Sequence, residues 1–93
     1  MHIVPGFMVR QVAGETIAIP AGAAARHLSG LLALNGSGKL LFDLLQTEQT
    51  TLSLVQALLE TYEIDPLTAQ TDVEEFLTIL RVNGVLVESS TED

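Results

Sequence analysis

Leu31–Leu45 reads LLALNGSGKLLFDLL, and the way this stretch divides decides the fold. Its left part, LLAL (Leu31 to Leu34), is a short apolar run closed by turn-forming residues, which predicts a third strand. Its right part predicts a helix over about Ser37 to Leu45, with Leu41, Leu44 and Leu45 on one face. Gly36, Ser37, Gly38 and Lys39 lie at the junction, and GSGK alone looks like the end of a phosphate-binding loop. That loop needs G-x-x-x-x-G-K-[ST], because backbone amides wrap the phosphates while the hydroxyl holds magnesium. Counted back from Gly38-Lys39, the first glycine position holds Ala33 and the hydroxyl position holds Leu40. Both fail, and the parallel sheet that carries such a loop needs more chain than remains. The plainer reading is a helix start, with Asn35 or Ser37 accepting hydrogen bonds from free amides. Strand, hinge, helix is the assignment.

Outward from there, FMVRQVAGETIAIP (Phe7 to Pro20) predicts a β-hairpin. Phe7, Val9, Ile17 and Ile19 alternate with other residues, and Ala13-Gly14 forms the turn. PAGAAARHLSG (Pro20 to Gly30) reads as a loop. On the C-terminal side, Thr50 can cap a second helix in which Leu54, Val55, Leu58, Leu59 and Tyr62 recur at helical spacing. Asp65 and Pro66 then suit the N-cap and first position of a third helix, and Ile64 can staple onto Ala69. That helix ends at Asn83-Gly84, and VLVE (Val85 to Glu88) predicts a last short strand. The expected architecture is α+β: a three-stranded antiparallel N-terminal sheet, three helices and a short C-terminal strand. Two helices joined by a tight turn and followed by a strand suggest a winged helix-turn-helix. One domain is expected over 1–93, with an ordered core about 7–88 and a loose tail from Ser89 to Asp93.

Charge narrows the function classes. Twelve carboxylates oppose four basic residues, Arg10, Arg26, Lys39 and Arg81, for a net charge of −8. Glu60 to Glu75 holds six acidic residues and no basic one, so the chain repels nucleic acid. A basic peptide or protein partner fits better, although acidic surfaces also serve solubility alone. The chain has no cysteine, which removes disulfides, thiolate metal sites and thiol nucleophiles and fits a reducing cytoplasm. MHIVPGFMVR is not a signal peptide, and the apolar-leaning run from Thr16 to Ala25 is broken by Pro20 and Gly22, so no membrane span is expected.

Catalysis has no support. His2, expected in a loose terminus, and His27, in a loop, have no partners at metal-ligand spacing. Asp72, Glu74 and Glu75 form an acidic cluster best read as a solvated helix face. Serines 29, 37, 53, 89 and 90 have no evident base. No cofactor and no metal are expected.

The third helix holds more. At about 100° per residue, Ala69, Val73, Phe76, Leu77 and Leu80 form a core stripe, and Gln70, Glu74, Thr78 and Arg81 lie opposite. Asp72, Glu75, Ile79 and Val82 fall on a flank beside Phe76, so apolar surface extends past the core. These aliphatics either pack on a neighbouring element or form one wall of a groove. The other wall is then the Leu31, Leu32, Ala33, Leu34 strand. As a sheet edge it can accept an added peptide strand, or pair with a second copy of the chain to give a homodimer.

Taken together, VAGETIAIP, Leu34-Asn35, Ser37-Gly38, the apolar run ending at Phe42, LVQALLETYEID, DVEEFL and NGVL resemble a known family. It comprises the relatives of pyrroloquinoline-quinone biosynthesis protein D, the recognition elements for ribosomally made, post-translationally modified peptides. The likeness runs from about Phe7 to Val87. Gly36 and Lys39 stand where relatives more often carry an acidic and a small residue. The hairpin also lacks features of a quinone-cofactor pathway member, which points to another peptide pathway. The resemblance implies a non-catalytic role: holding the leader of a precursor peptide and presenting it to a modifying enzyme, often a radical S-adenosylmethionine enzyme. It implies that the leader adds to the third strand and packs on the third helix, at Leu31, Leu32, Ala33, Leu34, Asp72, Glu75, Phe76, Ile79 and Val82. A winged-helix DNA-binding or regulatory protein, and a docking subunit of an enzyme complex, are the competing readings.

Overall fold

The computed structural model describes residues 1–28 and 30–88, so Ser29 and the expected tail from Ser89 to Asp93 lie outside the described residues. In chain order the elements are β1 (His2–Ile3), β2 (Phe7–Val12), β3 (Glu15–Pro20), a 3₁₀ helix (Gly22–Arg26), β4 (Leu32–Leu34), α1 (Gly36–Leu44), α2 (Thr51–Thr61), α3 (Pro66–Val82) and β5 (Leu86–Val87). The class is α+β, as expected. The last strand pairs with β1 in a two-stranded antiparallel sheet, His2 against Val87 and Ile3 against Leu86.

Local chemistry accounts for most boundaries. Ala13 (φ 53°) and Gly14 (φ 84°) are successive left-handed residues, which turn β2 into β3 with the twist a hairpin needs. The Asn35 side chain caps α1 by accepting the Gly38 amide at 2.7 Å. Lys39 sits in the first turn, a poor place for a cation, and pairs with Asp43 one turn on at 2.5 Å. Thr50 and Ser53 cap α2 reciprocally, each side chain bonding the other's backbone amide at 3.0 Å. At α3, Asp65 occupies the N-cap position, but its carboxylate takes the Thr68 hydroxyl rather than a backbone amide. That hydrogen bond, first among the causes, holds the Asp65 carboxyl below its usual range. Gly84 (φ 73°) closes α3: its amide reaches the Arg81 carbonyl and the Val85 amide reaches the Leu80 carbonyl, both at 3.0 Å.

Three strands make the main sheet in the order β2-β3-β4, so β4 is an edge. Thr16, Ile17 and Ala18 face Leu34, Ala33 and Leu32 respectively. Directly opposed residues share a sheet face, so this register sorts the side chains. Buried Ala18, Leu32 and Leu34 lie on the helix side, with Val9 opposite Ala18. Ile17 and Ile19 lie on the other face with Arg10, Met8 and Ala33. The four alternating apolar residues of the hairpin therefore split between two faces, and the residue buried in β3 is the small Ala18. Phe7 packs edge-on against Phe42, with ring centroids 5.5 Å apart. Leu41, Phe42 and Leu45 of the first helical segment meet Leu54 and Leu58 of α2 and Ala69, Val73, Leu77 and Leu80 of α3 in one core.

The N-terminal segment corrects the expectation of a core that starts near residue 7. Met1, Ile3 and Val4 are buried. The Ile3 amide bonds the Leu45 carbonyl and the Val4 amide bonds the Val85 carbonyl, each at 2.9 Å. His2 is not in a loose terminus either, since its Nδ1 lies 2.9 Å from Glu48 Oε1. The Met1 ammonium also donates to Glu48 and, at 2.7 Å, to the Gln49 carbonyl. Burying three apolar side chains is worth several kcal/mol, at roughly 1.5–3 kcal/mol each, enough to order a six-residue arm.

Candidate functional site

Between the edge strand β4 and helix α3 lies a groove of about 670 Å³. Leu32, Ala33 and Leu34 form one wall, and Phe76, Ile79 and Leu80 the other. The start of α1 (Asn35, Gly36, Gly38, Lys39) and the hairpin end (Gly14, Glu15, Thr16) complete it. Local sequence explains each part. β4 stops at Asn35 because that residue turns the chain and caps α1, which brings the helix start to the groove. Gly38 is buried there; a Cβ on it would make ordinary contact with the Phe76 ring at 3.5 Å but would crowd the Asn35 side-chain oxygen at 2.9 Å. Thr16 and Glu15 arrive because β3 pairs with β4.

A second, smaller cleft of about 100 Å³ adjoins the first. It is lined by Asn35, Ser37, Gly38, Leu41, Asp72, Glu75, Phe76 and Ile79, four of which it shares with the groove. Ile79 also borders a shallow depression of about 450 Å³ on the outer flank of α3, with Thr71, Glu74, Glu75 and Thr78. This residue is 51% exposed and lines all three depressions, so apolar surface continues from Phe76 past the core.

Of the nine residues singled out in the sequence, Leu32, Ala33, Leu34, Phe76 and Ile79 line the groove, and Asp72 and Glu75 line the small cleft. Leu31 and Val82 line neither; both are exposed, and Leu31 precedes the paired part of β4. Phe76 is half-buried at the border of the core stripe rather than inside it. Sequence reasoning missed the contribution of Gly14, Glu15, Thr16, Asn35, Gly36, Gly38 and Lys39. The signal available was the hairpin itself, since a third strand pairing with Glu15–Pro20 carries its turn end toward Asn35.

The groove's middle is apolar and its ends are charged. Glu15 and Lys39 stand on its rim, and the Lys39 ammonium is engaged by Asp43. Asp72 and Glu75 have no ion-pair partner among the described residues. Arg81 pairs with Glu88 beyond the groove, at 2.9 Å, which holds the Glu88 carboxyl below its usual range. Among the described residues no group of three or more His, Cys, Asp or Glu could hold a metal ion, and no helix is long and apolar enough to cross a membrane. The arrangement offers hydrogen-bonding backbone beside apolar surface, which suits an extended chain.

No curated protein is similar enough to this chain to count as a match. Among solved structures, the chain is similar to one described as TbiB1 in complex with the TbiA(beta) leader peptide. The two are 19% identical with a TM-score of 0.71, over 97% of this chain and 99% of that one, so they share a fold. The family of the coenzyme PQQ synthesis protein D (PqqD) matches residues 10–86. That span takes in the hairpin from Arg10 onward, β4 and all three helices, and the chain belongs to the PqqD family.

Proposed function

We propose that this protein is a non-catalytic recognition element that binds the leader of a ribosomally made precursor peptide. The leader adds as a strand to β4 and lays alternate side chains against α3. The observation that carries this reading is the groove itself: a sheet edge unpaired among the described residues on one side and a half-exposed Ile79 with Phe76 on the other. β4 spans only three residues, about 10 Å of ladder, so backbone hydrogen bonds alone hold a peptide weakly. The apolar wall supplies the rest of the affinity and the selectivity. Family membership supports the reading, and so does the shared fold with a protein described in complex with a leader peptide. The bound peptide is presented in the cytoplasm to a modifying enzyme, a radical S-adenosylmethionine enzyme by resemblance to the family. A DNA-binding role fits poorly, because α3 carries Asp72, Glu74 and Glu75 against the single Arg81, itself paired with Glu88.

Titration of labelled leader peptides from short open reading frames beside the gene tests the proposal. Saturable binding at concentrations of the order of tens of micromolar or below is expected. Ile79→Asp places a charge where three depressions meet and should weaken binding by at least about tenfold without unfolding the chain. Failure of every neighbouring leader to bind would sink the reading. If β4 instead pairs with a second copy, a dimer would form that Ile79→Asp leaves intact and that leader does not dissociate.

A further inference from the structure

The small cleft has a different character from the groove it adjoins. At the groove Lys39 is already held by Asp43, which leaves Glu15 as its one ionisable group with no ion pair among the described residues. The cleft's two ionisable groups are both carboxylates, Asp72 and Glu75, spaced one turn apart on α3 with no cation paired to either among the described residues. The start of α1 faces them and offsets part of this charge, but a helix end amounts to about half a positive charge, against two negative ones. Its best-placed amide, that of Gly38, is also already taken by the Asn35 side chain. The Phe76 ring forms a further wall, an apolar surface along which a long cationic side chain can lay its methylenes. Ser37 supplies a hydroxyl oxygen at the rim.

We infer that this cleft receives a lysine or arginine side chain of the bound peptide, so the partner carries a basic residue beside the apolar residue seated on Ile79. The inference rests on the peptide-binding reading and adds the partner's chemistry to it. Side chains on one face of an extended strand recur every second residue, about 6.6 Å apart. Groove and cleft share Phe76, Ile79, Asn35 and Gly38, so neighbouring same-face positions reach both. The expected signature is a large apolar residue and a Lys or Arg two positions away. A net charge of −8 also draws such a peptide in from a distance, in a way that salt weakens.

Short randomised peptides displayed on phage, selected in parallel on the intact protein and on its Asp72→Asn/Glu75→Gln variant, test this. The wild-type selection should enrich the apolar–x–basic pattern, and the variant should enrich the apolar residue without the basic one. A peptide from the wild-type pool should bind the variant about five- to tenfold more weakly, with a shallower salt dependence. Glu75→Gln alone, at an exposed position, repeats the comparison should the half-buried Asp72 be needed for folding. Apolar enrichment with no basic preference on the wild type, or a basic preference that survives in both variants, overturns the inference and leaves peptide binding standing. No enrichment of any sequence on the wild type overturns both.

Discussion

The Oδ1 atom of Asn35 accepts the Gly38 amide at 2.7 Å, and a Cβ added to Gly38 would stand 2.9 Å from that same oxygen. The cap of α1 and the bareness of Gly38 are therefore one device, and it sits on the wall shared by groove and cleft. Asn35→Ala should cost about 1 kcal/mol through loss of the cap. Gly38→Ala gains up to about 1 kcal/mol of helix propensity but must displace the Asn35 cap, since the Phe76 ring at 3.5 Å leaves room for the methyl. The alanine should therefore be neutral or destabilising in the wild-type background and stabilising once Asn35 is alanine. Urea denaturation of the four proteins in this double-mutant cycle measures the coupling; simple additivity would show the two residues to be independent.

Phe42 links sheet to helices, being buried in the core and edge-on to Phe7. Phe42→Ala should cost about 3–5 kcal/mol, a large part of what a domain of this size holds. Phe7→Leu, which keeps the apolar volume but loses the ring pair, should cost about 1 kcal/mol. Thermal melting followed by circular dichroism separates these two outcomes.

Acid should loosen the N-terminal arm. Hydrogen bonds from the Met1 ammonium first, then from His2, hold the Glu48 carboxyl below its ordinary value of 4.5. A depressed carboxyl favours the fold in its ionised form. The stabilisation is thus present above the ordinary value and lost as pH falls through the lower, folded one. Asp65 and Glu88 are shifted in the same direction, by the Thr68 hydroxyl and the Arg81 guanidinium respectively. Tm should fall below pH about 4.5, and Glu48→Gln should make that fall shallower. An unchanged slope in the variant would mean that the arm does not sense this charge.

Ala13 is a non-glycine residue at positive φ, in a turn whose first position favours Asn. Ala13→Asn should stabilise the protein by about 0.5 kcal/mol, seen as a higher urea midpoint at constant slope. Peptide affinity should not change, because Ala13 does not line the groove.

Much of this fold was legible because its punctuation is chemical. Asn35, Thr50, Asp65-Pro66 and Asn83-Gly84 mark helix ends within a residue or so, and Ala13-Gly14 marks the hairpin. What escaped is what depends on distant pairing. His2–Ile3 and Leu86–Val87 are too short to show a period, so only their mutual ladder defines them. Alternation in the hairpin does not say which face of β3 turns inward; the register puts the small Ala18 in the core and Ile17 and Ile19 on the other face. The groove's walls could be sensed from Ile79 standing off the core stripe. Its ends, formed by Glu15, Thr16 and Lys39, are set by register and helix approach, which no single segment encodes. Leu31 and Val82 extend the right elements but lie past the point where those elements face each other.

The outward placement of Ala33, beside Ile17 and away from Leu32 and Leu34, bears on what a docked peptide would look like from outside. A strand laid along β4 inherits its pleat, so every second side chain of that strand continues the open face of Met8, Ile17 and Ile19. The peptide would be gripped by one half of its residues while the other half stayed in view. A scan of substitutions along it should therefore show a two-residue beat: positions that govern its capture by this protein, alternating with positions that matter only to whatever acts on it next.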